Sequence, residues 1–170
     1  MDFQYFRTQH REPLREALVV AEEMTSDHFK LTSRQWLTAR YDITTLADLR
    51  AEEISPHALA MVAKYGGFLP GRELNSSAFD FYRVCLQDHN ILNTLDKQTK
   101  LALLPLLIYV ITHELVHIVR FSQFHHLFEA TTEEKEQEEK RVHSLTREIL
   151  KPFNCPDLEE ISLYYQDHHN

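Results

Sequence analysis

The segment from residue 101 to residue 119, LALLPLLIYVITHELVHIV, constrains this chain more than any other. Its length matches a bilayer. Yet His113, Glu114 and His117 interrupt it, and ionisable groups are costly inside a membrane span. The segment therefore reads as the central helix of a folded domain, apolar nearly all round and buried. Pro105 fits in two ways. It either kinks a helix running from about Lys97 or sits in the first turn of a new one. The second option gives a helix from Pro105 to about Phe124.

The interruption is itself a pattern: His113-Glu114-Leu115-Val116-His117, or HExxH. At about 100° per residue, His113 and His117 are one turn apart and about 40° apart in direction, with Glu114 about 100° from the first histidine. Two imidazoles on one face can grip a metal ion, and the offset glutamate can address a water beside it. Chance would produce the motif roughly 0.07 times in a chain of this composition. The competing reading is a pair of core histidines hydrogen-bonded to backbone or carboxylate. Burying two imidazoles and a carboxylate without partners is expensive, and a metal satisfies all three at once.

A catalytic zinc site has three protein ligands and one open position. The HExxHxxGxxH pattern is absent, because Arg120 and Gln123 stand where glycine and histidine would be. The candidates lie on the acidic stretch that follows: Glu133, Glu134, Glu136, Glu138, Glu139 and His143. Thr131-x-x-Glu134 is a capping box that opens a helix there, running to about Leu150 before Pro152. Helical phase puts Glu139 on a stripe with Val142, Thr146 and Ile149, while Glu133 and Glu138 face outward or fall in the first turns. Glu139 is the expected third ligand, with His143 and Glu136 as alternatives. Most of the acidic run reads as a solvated face.

HExxH followed by a glutamate on the next helix resembles the gluzincin branch of the zincin metallopeptidases. The resemblance spans about residues 78–152. It implies Zn²⁺ held by His113, His117 and Glu139, with Glu114 as general base and a peptide or protein as substrate. The family often has an acidic residue four after the ligand glutamate; here that place is His143. The stretch from Glu139 to Pro152 is also loosely similar to the end of the peptidase domains of ImmA/IrrE-like cytoplasmic regulators, with Val142-His143 in place of Ala-Asn. His143, Arg120, His125, His126 and a tail tyrosine are the candidate donors to a developing oxyanion; His143 and Glu114 are the expected catalytic residues. A non-catalytic metal protein with structural zinc and a helical interaction module are the competing functions.

The rest of the chain frames that region. With 18 Lys+Arg against 26 Asp+Glu the net charge is −8, which speaks against nucleic acid or an anionic membrane as partner. Residues 1–60 carry seven basic against ten acidic side chains, so no basic face supports a helix-turn-helix reading. Cys85 and Cys155 have no CxxC spacing, and the start MDFQYFRTQH lacks a secretory pattern; the expected compartment is the cytoplasm. At 170 residues one domain is expected. The fold class is α+β, predominantly helical and zincin-like, with a short sheet or strand beside the HExxH helix. Residues 1–63 form a helical half, with helices opening at Pro13, at Thr32 or Ser33 (carrying Trp36), at Thr44 or Thr45, and at Ser55-Pro56. Residues 64–77, holding all three glycines, form a loop, and Arg72–Leu74 can supply a partner strand. Ala78–Gln87 reads as a strand, either internal or available to an extended peptide, with turn-like residues Asp88–Asn90 after it. Residues 153–170 form a tail, where Ile161 to Tyr165 can dock and His168 and His169 form an exposed end.

Overall fold

The structure, a computed structural model, describes residues 3–33, 35, 40–68, 78–123 and 130–168. Among them are five α-helices and a three-stranded sheet: α1 (Arg11–Phe29), β1 (Tyr41–Thr44), β2 (Ala60–Phe68), β3 (Ala78–Leu86), α2 (Asp88–Lys97), α3 (Leu103–Ser122), α4 (Thr132–Leu150) and α5 (Leu158–His168). The class is α+β with helix predominating.

The apolar segment is α3. Pro105 lies in its first turn, where a missing N–H breaks no helical bond. Every residue from Pro105 to Arg120 is buried. The helix is long and apolar enough to cross a bilayer, yet 89% of its apolar window is covered inside the fold. One hydrophobic cluster gathers Ala17 and Ala21 of α1, Tyr82, Val84 and Leu86 of β3, Leu106 to Ile111 of α3, and Ile161 and Tyr165 of α5. Each fully buried Leu or Ile in it contributes about 1.5–3 kcal/mol. A smaller cluster joins Val116 to Val142 and Ile149, fixing α4 on α3. The helices at Pro13 and after Thr131 form as expected; Thr131 accepts from the Glu134 N–H, and the Glu134 carboxylate accepts from the Thr131 N–H at 2.8 Å.

The strand order is β1-β3-β2, with β1 parallel and β2 antiparallel to β3. This corrects the helical reading of residues 1–63 in three places. Tyr41–Thr44 is a strand. Thr45 caps only a single 3₁₀ turn, Leu46–Asp48. The helix expected from Ser55-Pro56 through Met61 is replaced by β2, which pairs along its whole length with β3, from Ala60 opposite Leu86 to Phe68 opposite Ala78. Ala, Met and Lys favour helix locally, but a long β-rich neighbour offers each backbone group a ladder partner, and tertiary pairing overrides a weak propensity.

The expected loop at 64–77 is likewise shortened, since Lys64–Phe68 belong to β2. Arg72–Leu74, Trp36 and His169 lie outside the described residues. Asp88–Asn90 begins α2 rather than a turn. The buried Asp88 carboxylate accepts the N–H groups of Phe6 at 2.8 Å and Leu46 at 3.1 Å, tying the N-terminal segment to the sheet. The tail supplies a full helix, α5.

Candidate metal centre

α3 and α4 pack against each other, and their facing residues make the site. His113 and His117 stand one turn apart on α3 with 3% and 8% exposure. Glu139 reaches across from α4. His113 Nε2 lies 3.1 Å from its Oε2, and His117 Nε2 lies 2.9 Å from its Oε1. The three ligand atoms fall within 4.8 Å of one another, a group that could hold a metal ion. A tetrahedral ion with ligands at about 2.0–2.1 Å sets neighbouring donors about 3.3 Å apart. The two His–Glu separations of 3.1 and 2.9 Å are near that spacing, and two imidazoles with one carboxylate suit a first-row transition ion. His117 Nδ1 is buried with no hydrogen-bond partner among the described residues, so only its Nε2 side is engaged.

Charge and hydrogen bonding tie the cluster together. Burial alone pushes the Glu139 carboxyl up, but hydrogen bonds from His113 and His117, with their charges, outweigh it and hold it far below the usual carboxylate range. Burial pulls the His117 imidazole down; the bond to Glu139 and the charges of Glu139, Glu114 and Glu138 outweigh that, and its value is raised. Glu114 is 6% exposed. Its burial raises the carboxyl to about 7, a rise that His117 opposes and Glu139 reinforces. A buried carboxyl near neutrality is suited to exchanging protons.

Two clefts meet at the cluster, and His113, Glu139 and Tyr165 line both. One, about 400 Å³, runs beside the start of β2 along Ala60, Met61 and Val62 and includes Glu114 and His117. The other, about 550 Å³, lies between α4 and α5. The Glu139 side chain is 41% exposed, so the cluster opens to solvent.

Of the residues singled out in the sequence, the structure brings together His113, His117, Glu114 and Glu139. Glu136 is not in the group. His143, one turn beyond Glu139, lines the larger cleft with His113 and Glu139; its Nδ1 is 2.5 Å from the Tyr109 hydroxyl and its Nε2 3.2 Å from Ser162 Oγ. Tyr165 packs its ring 5.1 Å from that of His113, while Tyr164 bonds to Thr94. His125 and His126 lie outside the described residues.

Glu138 corrects the phase reading. It is 6% exposed, not outward-facing, and it meets the Arg120 guanidinium. The buried stripe of α4 is Glu138, Val142, Thr146, Ile149 and Leu150, and Glu139 sits on its flank. The overlooked signal was Arg120: an arginine three residues after His117 on an all-buried helix needs a carboxylate partner. No family model, curated protein or solved structure matches the chain.

Proposed function

We propose that the chain is a zinc-dependent hydrolase of peptide or amide bonds, zincin-like in arrangement. One observation carries the reading: two HExxH imidazoles converge through Nε2 on the Glu139 carboxylate, next to Glu114, where two clefts meet. A closed structural site would need no such opening and no adjacent glutamate.

His113, His117 and Glu139 would hold the ion, which supplies Lewis acidity toward a water and a carbonyl oxygen. Glu114 takes the proton from the attacking water and delivers it to the leaving amine, so that one carboxyl serves as base and then acid. Tyr165 lines both clefts beside His113 and is the tail tyrosine we assign as hydrogen-bond donor to the carbonyl oxygen. His143, bonded at both ring nitrogens, is assigned to joining α3, α4 and α5 rather than to proton transfer.

The substrate is a peptide or protein in extended form. β3 is paired on both sides, so it is an internal strand. Among the described strands β2 is at an edge, and its first residues line the cleft with Glu114, which favours its outer edge as the place where a peptide backbone adds.

Elemental analysis of untagged protein tests the metal, and peptide-library hydrolysis tests the activity. Wild type should carry about one zinc per chain, and His113→Ala should lose it. Glu114→Gln should keep the zinc and lose at least about 100-fold in turnover, the contribution of a positioned general base. Full hydrolysis by the zinc-loaded Glu114→Gln protein would refute the role given to Glu114.

A further inference from the structure

The chemistry above makes no use of the ion pair between Arg120 of α3 and Glu138 of α4. Both side chains are under a tenth exposed. The contact is bidentate: Arg120 Nε donates to Glu138 Oε1, and Nη2 donates to Oε2 at 3.1 Å. Burying such a pair seldom adds net stability, because desolvation offsets the attraction, and packed apolar residues of similar size do as well or better. What a planar guanidinium–carboxylate fork does supply is geometry, since two parallel bonds restrict the mutual orientation of the groups.

The pair sits where that geometry matters. Arg120 follows His117 by three residues, and Glu138 directly precedes Glu139. A rotation of α4 by one residue, about 100°, would swing Glu139 away from both histidines. Glu139 lies on the flank of the buried stripe with its side chain 41% exposed, so packing holds it less firmly than its neighbour. Glu138, inside the stripe, is held by the fork.

We propose that Arg120 and Glu138 are positioning residues whose bidentate contact sets the rotation of α4 that presents Glu139 to His113 and His117. The inference rests on the metal reading above and extends it to residues outside the set of candidate ligands.

The test compares two quantities on the full chain: the zinc dissociation constant, from competition with a chromophoric chelator, and the unfolding temperature of the metal-free protein. In Arg120→Met/Glu138→Leu the unfolding temperature should hold or rise. Zinc should bind about 10–100-fold more weakly, the loss typical when a partner behind a metal ligand is removed. The visible absorption of the cobalt(II) form should change as well. Arg120→Lys keeps the charge without the fork and should weaken zinc in the same direction, by less. An unchanged zinc affinity in the double variant overturns the proposal while leaving the metal site standing. Should the double variant not fold, Arg120→Lys decides, and wild-type affinity in it is the overturning result. A wild type that binds no zinc defeats the metal reading itself, and this inference with it.

Discussion

Glu53 is 1% exposed, and its neighbours decide its charge. Burial alone would push its carboxyl up. The Tyr65 hydroxyl, the Arg50 N–H at 2.9 Å and the charge of Arg83, whose Nη1 is 3.5 Å away, outweigh that and hold it below its ordinary value. A carboxyl depressed in the folded state stabilises the fold fully above its unfolded-state value, and the contribution disappears as pH falls through the folded one. Wild type should therefore melt above Glu53→Gln near neutrality, with the gap closing through the acid range. A gap constant down to about pH 2 would contradict this linkage. The same scale explains what is legible at the candidate metal centre. His113, Glu114 and His117 are placed by spacing along one helix, so the sequence contains their geometry. Arg120 carried a readable signal too, an arginine in a buried helix, but its partner lies 18 residues away across an interface.

α4 shows local rules and tertiary contacts agreeing at one end and diverging in the middle. Its start obeys a capping box that exchanges both hydrogen bonds. Thr131→Ala should cost about 1 kcal/mol, read as a lowered denaturant midpoint with an unchanged slope; no loss would mean that the cap is redundant with packing. Its middle differs from the expectation at Glu138. Val142, Thr146 and Ile149 are buried as the phase argument required, but the stripe continues through Glu138 and leaves Glu139 on the flank. Helical phase selects Glu139 for the site but reads its neighbour Glu138 as outward-facing. Only the facing residues of α3 distinguish them, a guanidinium for one and two imidazoles for the other. β2 is the parallel case among strands: a segment whose first residues, Ala60, Met61, Ala63 and Lys64, favour helix pairs along its length with β3.

Among the described residues, most of the buried apolar side chains form one cluster from Ala17 to Tyr165, a smaller one fixes α4 on α3, and the His–Glu group belongs to neither. Metal removal should therefore leave the fold intact. After chelation the helical circular dichroism should persist while the proposed hydrolysis is lost. Restoring zinc at about 100 times its dissociation constant should add about 2.7 kcal/mol, the linkage value for one site. Unfolding on chelation would instead mark zinc as structural. The buried central helix, the HExxH face, the cap and end of α4, and the strand after the glycine region are readable from the chain alone, because each depends on the spacing of nearby residues. The tertiary structure decided which glutamate meets the histidines, that Arg120 and Glu138 pair, that residues 60–68 form a strand, and that Tyr165 walls both clefts. Those outcomes depend on groups far apart in the chain, whose proximity is set only when α3, α4, α5 and the sheet close around one core.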